Sequence, residues 1–374
     1  MSLPLTFVSE IPLLIWIYLL KGRGDFWRVS RLLSRLAPSL SGKRIIAIIP
    51  ARNEAAIIGQ AVTSLLKQNV EVIVVDDDSS DGTTEAARVA EDNLTILPGQ
   101  PLPPGWTGKL WALSQGVAHA DTLAPDYLLF TDADIRHGPN SVAELVSIAE
   151  SRVFDLASYM VKLTCATPAE KALIPAFVFF FLTLYPPRWI AFERSKTAAA
   201  AGGCILIRPE ALRKIGGLAA IRSEIIDDCA LARAVKRSGG RIWMGLTAST
   251  RSIRSYGSFA EIGRMISRTA FSQLRHSPLV LVATLLALFI TYLLPPILLF
   301  SDQRLMIQFG IAAWLLMSIC YLPMVRFYRL SPLWALSLPL VAAFYAGATI
   351  HSAIRYWTGL GGEWKGRVQD MRGD

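Results

Sequence analysis

The sequence predicts an α/β domain on a mostly parallel sheet, combined with membrane-spanning helices, and three observations predict it. Short β-branched runs alternate with amphipathic stretches from Arg44 onward, uncharged apolar runs fill the carboxyl-terminal part, and acidic clusters stand directly after apolar strands. The composition agrees: of 374 residues 52% are apolar and 18% charged, with a mean hydropathy of +0.40. An ordinary soluble domain is about 25% charged. Disorder and a disulfide-stapled miniprotein are both excluded, and the apolar surplus must face something other than water.

The elements follow in order. Leu3 to Leu20 is apolar except for Glu10, with Lys21, Arg23, Arg28, Arg31 and Arg35 after it. A cleaved secretory signal carries its charge before the apolar core. The reversed order favours a retained anchor; an interfacial amphipathic segment is the alternative, because Glu10 is costly at mid-membrane. Arg44–Ile49 reads as a strand, Ala55–Gln68 as a helix, Val70–Val75 as a second strand, Thr83–Glu91 as a helix and Leu94–Leu97 as a third strand. Lys109–His119 reads as a helix, Tyr127–Phe130 as a buried strand, and Pro139 as the first position of another helix. Such alternation implies a parallel sheet with right-handed crossovers, whose ligands bind beyond the carboxyl ends of the strands. Ser277–Ser301, Leu305–Val325 and Leu330–Ile354 carry no charge and are each long enough to span a bilayer, which takes roughly 20 residues. Ala172–Phe192 is interrupted by Pro186, Pro187 and Arg188. It reads as an apolar segment lying at the membrane surface, with a buried core helix as the alternative.

Charge is unevenly spread. Lys21–Arg44 has a local net charge of +6 and Arg233–His276 of +8, within a total of +9, so the remainder is acidic. Both blocks adjoin apolar segments, as expected of a cytoplasmic surface against anionic headgroups. No groove-reading motif accompanies them, so no nucleic-acid partner is expected. Cys165, Cys204, Cys229 and Cys320 are far apart, which indicates neither a zinc site nor a disulfide framework and suits a reducing compartment.

The acidic clusters point to chemistry. Asp76-Asp77-Asp78-Ser79-Ser80-Asp81-Gly82 follows the second strand, one βα unit after Pro50-Ala51-Arg52-Asn53-Glu54. Adjacent carboxylates repel, and donors or a cation must offset the cost; helix capping is the plainer reading. Thr131-Asp132-Ala133-Asp134 follows Tyr127–Phe130. On an extended segment Asp132 and Asp134 point the same way, and two hard oxygen ligands suit Mg or Mn shared with phosphate oxygens.

The order P-A-R-N-E, V-V-D-D-D-S-S-D-G-T, T-G-K (Thr107–Lys109), T-D-A-D and D-D-C-A-L (Asp227–Leu231) resembles the family 2 glycosyltransferases of GT-A fold. Within them the chain is similar to bacterial hopanoid-associated glycosyltransferases and ceramide glucosyltransferases, partly through Arg264–Leu274 followed by three spans. The resemblance implies a membrane-bound inverting transferase moving one sugar from a nucleotide-sugar donor to a hydroxyl of a lipid acceptor. A polyprenyl-phosphate sugar synthase is the alternative; a transporter or simple anchor accounts poorly for carboxylates at three sheet-edge loops. It also implies that Pro50, Arg52, Glu54, Asp76 and Asp77 bind the nucleotide and that Lys109 lies near the nucleotide-sugar. Asp134, with Asp132, holds a divalent Mg or Mn, and Asp228 is the catalytic base. Many membrane members carry Q-x-x-R-W after the base; here Met265–Thr269 keeps only Arg268, either a diphosphate clamp or a plain juxtamembrane charge. The expected organisation is an anchor and basic segment at 1–43, a GT-A domain at 44–276 and a membrane domain with tail at 277–374. The expected location is the inner (plasma) membrane, multi-pass, with the catalytic domain cytoplasmic and the tail from Arg355 outside.

Overall fold

The computed structural model describes residues 3–33, 37–40, 42–88, 93–359, 363–364 and 367–368. Arg35 of the first basic block, the end of the helix expected over Thr83–Glu91 and most of the tail lie outside these residues. The chain divides into two compact units, each built from non-contiguous pieces.

The sheet unit comprises Leu32–Thr164, Trp189–Arg254 and Gly362–Asp374. Its strands are β1 Ile45–Ala51, β2 Glu71–Asp76, β3 Leu94–Pro98, β4 Tyr127–Thr131, β5 Ile135–Arg136, β6 Leu156–Lys162, β7 Cys204–Ile207 and β8 Ile242–Ser252. They form one sheet in the order β3-β2-β1-β4-β7-β6-β8-β5. β3, β2, β1 and β4 are parallel, as the alternation predicts. β7 departs from it, running antiparallel to both β4 and β6, and β5 is antiparallel to β8. Every residue of β1 and β4 is buried, which explains their unbroken apolar runs rather than alternation. The core between sheet and helices joins Ile45, Ile49, Val62, Leu65, Val72, Leu129, Val146 and Leu206.

Two helices begin later than their patterns, whereas Lys109–His119 extends to Gly108–Asp121. Ala55–Gln68 yields Ile58–Leu66, because Asn53 at φ +52° turns the chain first. The helix after Pro139 begins at Ser141, with Pro139 in the preceding turn.

The helical unit comprises Met1–Arg31, Cys165–Arg188 and Ser255–Gly361, so the compact units cut the chain at other places than the linear boundaries 43/44 and 276/277. Its amino-terminal segment is a helix, Leu3–Lys21, anchored by buried Trp16, whose indole N–H donates to the Thr291 carbonyl at 2.8 Å. Among the described residues, four helices are long and apolar enough to cross a membrane: Pro168–Ala191, Pro278–Phe300, Arg304–Phe327 and Pro332–Trp357. The last three match the expected spans. The first corrects the expectation of a surface strip over Ala172–Phe192: Leu173, Ile174, Phe179 and Leu182 are buried. Glu170 does not interrupt it, because its carboxylate accepts from the backbone N–H groups of Ala166, Thr167 and Tyr256 at 2.6 to 2.9 Å and completes a capping box with Thr167. Around this helix Phe179 meets Tyr321, and Phe180 meets Tyr292 and Tyr345, all edge to face.

Candidate active site

Register places the functional residues. β1, β2 and β4 are parallel, so Arg52, Asp76–Asp81 and Asp132–Asp134 leave the sheet at one edge. Antiparallel β7 pairs Cys204 with Thr131, which puts Gly202-Gly203, just before it, at that same edge. β8 is parallel to β6 and ends there too.

The loops after β1 and β2 are tied mainly by local groups. Arg52 donates through Nη1 to the Asp77 carbonyl and lies 3.6 Å from the buried Asp77 carboxylate. Asp76 accepts from Ser79 N–H at 3.0 Å and from the Thr84 hydroxyl. Asp81 accepts from Thr83 N–H and Ala55 N–H, each at 3.1 Å; the Thr83 hydroxyl chiefly holds its carboxyl below the usual range. Glu54 N–H donates to Thr83 Oγ1 at 2.8 Å. Pro50, in β1, lines the neighbouring recess.

That recess has Lys109, Asp132, Asp227 and Asp228 on its polar side and Phe130, Leu218, Ile221 and Leu231 on its apolar side. Lys109 stands in the first turn of the helix Gly108–Asp121, which Thr107 caps through its side chain. Its ammonium bridges Asp132 at 2.9 Å and Asp227 at 3.1 Å. Burial opposes that charge, but the carboxylates of Asp132, Asp227 and Asp228 outweigh it and hold Lys109 protonated well above the ordinary lysine range. Asp227 and Asp228 open the helix Asp227–Arg237. Asp228 accepts from Gly202 N–H at 2.8 Å and Cys229 N–H at 2.6 Å. Burial, with the neighbouring Asp227 charge, pushes its carboxyl up to about 6, against the pull of Lys109 and the two N–H donors. Space at Gly202 is tight: a Cβ there would stand 3.3 Å from Asp228 Oδ2 and 3.4 Å from Lys109 Nζ, so these side chains would have to give by a few tenths of an ångström. Gly203 is held through its carbonyl, which accepts from Thr131 at 2.9 Å. The Thr131 hydroxyl also meets His137 Nε2 at 3.0 Å, and burial lowers the imidazole to about 3, so it is neutral.

Asp132 and Asp134 do not present one common face. Ile135 N–H bonds the Asp132 carbonyl at 3.2 Å, so the segment is a turn rather than extended, and the two carboxylates find different partners. Asp132 meets Lys109, while Asp134 Oδ2 accepts from Ser252 at 2.7 Å and from Arg254 at 3.3 Å. They remain electrostatic neighbours: burial raises Asp132, Lys109 opposes it, and the Asp134 charge adds to it. Among the described residues no group of three or more His, Cys, Asp or Glu could hold a metal. Two hard carboxylates alone do not enclose an ion. An ion on Asp134 or Asp132 would have to share its remaining positions with water and phosphate oxygens, the usual manner of Mg.

Arg254 is a site residue that sequence reasoning missed, whereas the glycines at Gly202-Gly203 are visible in the sequence as a place of close backbone approach or a simple turn. Arg254 is absorbed into the second basic block, and other members of both blocks are also engaged within the protein. Arg44 pairs with Glu71 at 2.7 Å, and Lys236 donates to the carbonyls of Trp189, Ile190, Phe192 and Thr197. Arg268 lies in the helical unit as the exposed C-cap of the helix Phe259–Ser267, one turn after exposed Arg264.

Comparison with known proteins agrees with the motif order. Residues 46–216 match the family described as Glycosyl transferase family 2. The chain is 41% identical over 99 residues to a 4,4'-diaponeurosporenoate glycosyltransferase of Staphylococcus aureus, a match covering 25% of this chain and 24% of that one. It therefore spans about a quarter of that relative's length. Among solved structures it is similar to the glucosyl-3-phosphoglycerate synthase of Mycobacterium tuberculosis in complex with Mn2+ and uridine-diphosphate-glucose. That likeness has 18% identity and a TM-score of 0.40, over 64% of this chain and 84% of that one. It is also similar to S. aureus TarS, at 18% identity and a TM-score of 0.40, over 61% and 40% of the two chains. The mostly parallel sheet with its flanking helices is GT-A-like, and residues 46–216 form a family 2 glycosyltransferase domain.

Proposed function

We propose that this protein is a membrane-bound inverting glycosyltransferase that moves one sugar from a nucleotide-sugar donor to a hydroxyl of a lipid acceptor. The observation that carries the reading is Asp228. Its carboxylate is fixed by the Gly202 and Cys229 N–H groups at the sheet edge and is basic enough to titrate near neutrality. Pro50, Arg52, Glu54, Asp76 and Asp77 form the nucleotide site, and Lys109 orders Asp132 and Asp227 beside the sugar. Asp228 takes the proton of the acceptor hydroxyl as its oxygen forms the new bond to the anomeric carbon. The bond to the diphosphate breaks on the opposite face, which inverts the centre without a glycosyl-enzyme intermediate. A divalent Mg or Mn held by Asp134 and Asp132 would neutralise the departing diphosphate, a contribution of several kcal/mol. Arg268 is assigned to the same diphosphate by resemblance.

The acceptor's class follows from charge. The recess already sets three carboxylates, Asp132, Asp227 and Asp228, against one ammonium, and a phosphate nucleophile would add negative charge without needing a base. A neutral hydroxyl suits it better than a polyprenyl phosphate. The four apolar helices and the S. aureus relative, named for a carotenoid acid, support a lipid; a hopanoid-type alcohol is the specific candidate. The catalytic domain would face the cytoplasm, where nucleotide sugars are available. Membranes carrying the protein, incubated with a panel of radiolabelled nucleotide sugars with and without Mn2+ or EDTA, should pass label into the lipid extract only when the ion is present. Label in polyprenyl phosphate alone, or in lipid regardless of EDTA, would refute the acceptor or the metal assignment respectively.

A further inference from the structure

Arg254 stands two residues past the end of β8 and reaches a carboxylate 200 residues away in sequence. Its Nη2 donates to Glu54 Oε1 at 2.6 Å and its Nε to Asp134 Oδ2 at 3.3 Å. Ser252 Oγ donates to the same Asp134 oxygen, and Ile253 N–H bonds the Asp134 carbonyl at 2.8 Å. The side chains of Glu54 and Asp134 are only 10% and 13% exposed, against 32% for Arg254. One guanidinium thus joins a carboxylate from the loop after β1 to one from the loop after β4. A divalent cation on Asp134 needs oxygen charge that the guanidinium already engages, and two cations on one carboxylate repel each other.

We propose that Arg254 is a tethered counter-cation. It holds Glu54 to Asp134 while Asp134 carries no metal, and it yields Asp134 when a divalent cation binds, keeping its hold on Glu54. The affinity of the protein for the ion is then set in part by competition with its own side chain. The inference rests on the reading of Asp134 as a metal carboxylate, and the experiment separates the two.

Mn2+ is titrated into the detergent-solubilised full chain, and the free ion is followed by its electron paramagnetic resonance signal. Arg254→Met should bind Mn2+ about tenfold more tightly than the unmodified protein, the scale of one ion pair removed from a partly buried carboxylate. Arg254→Lys keeps the charge but lacks the fork that spans two carboxylates; it should fall between, and it carries the test should the Arg254→Met variant not fold. Arg251→Met removes an exposed cation of β8 whose register partner is Arg136, and it should leave the affinity unchanged. Equal affinity across the unmodified protein, Arg254→Met and Arg254→Lys overturns the proposal, as does equal tightening in Arg251→Met. Asp134→Asn distinguishes the failures. If it binds Mn2+ normally, the metal reading fails and takes the proposal with it. If it loses Mn2+ while Arg254→Met does not tighten, the competition alone is refuted.

Discussion

The loops after β1 and β2 and the recess beside β4 both gather carboxylates at one sheet edge, yet they neutralise them differently. Asp76 and Asp81 are satisfied by N–H and hydroxyl groups of their own turn, Ser79, Thr83 and Thr84, with Ala55 added. Asp132, in the turn after β4, and Asp227, at the start of its helix, depend on one ammonium, Lys109, carried by the helix Gly108–Asp121. The first arrangement is rigid because most of its donors are fixed backbone. The second stakes several charges on one side chain, which suits a site where charge must change hands during reaction.

Breaking the recess should therefore cost far more than trimming the loops. The largest effect is expected for Asp228→Asn, which keeps the shape and removes the base. kcat should fall about 10²- to 10⁴-fold with donor KM little changed. The unmodified enzyme should show the same dependence in its pH profile. The Asp228 carboxyl is raised to about 6, and the base works only when deprotonated. The rate should fall as the pH drops through about 6, to about a tenth one unit below. A flat profile between about pH 5 and 7, or near-normal turnover of the Asn variant, would remove Asp228 from the role.

Lys109→Met comes next. It leaves Asp132, Asp227 and Asp228 facing one another without their cation, and breaking one partner of a buried ionic cluster typically costs about 3–5 kcal/mol. Thermal denaturation should register the loss. Because Lys109 pulls the Asp228 carboxyl down, any residual activity should have its acidic limb displaced to higher pH. An unshifted limb would mean that Lys109 does not act on Asp228. The smallest effect is expected in the loops: Thr84→Val deletes one of the donors to Asp76, worth about 1 kcal/mol or roughly fivefold in donor KM, with kcat unchanged. A Thr84→Val defect as large as that of Lys109→Met would erase the contrast between the two regions.

The contrast also explains what can be read from sequence. β1, β2 and β4 announce themselves because both faces are buried and their side chains are apolar almost throughout. The donors around Asp76 and Asp81 lie within a few residues, so the turn is legible as a cluster of Asp, Ser, Thr and Gly. The motif order sets Lys109 near the donor, but its bridge to Asp227 depends on β7 entering the sheet antiparallel, and a four-residue strand carries no mark of direction. Arg254 is hidden by composition: in a basic stretch, a guanidinium that reaches back to Glu54 looks like one that faces a membrane. The turn at Asp132–Ile135 defeats the alternation rule, because a single backbone hydrogen bond redirects the second carboxylate. Helix Pro168–Ala191 is misjudged because Pro186, Pro187 and Arg188 are read as interruptions of the apolar segment; they fall at its end, after the continuous helix Pro168–Leu184 and at the start of the short helix Pro187–Ala191.

The antiparallel course of β7 has a consequence for the order in which the protein can be made. By residue 131 the ribosome has delivered β3, β2, β1 and β4, half of the sheet, with one side of β4 still lacking its partner. That partner, Cys204–Ile207, follows only after the apolar helix Pro168–Leu184 has emerged. An unpaired apolar strand is a template for wrong pairings. The nascent chain must therefore deliver its apolar helix before it can close the sheet beside Asp132 and bring Gly202 to Asp228. No truncation from either end isolates the catalytic unit, because the Cys165–Arg188 excursion is sewn into its middle.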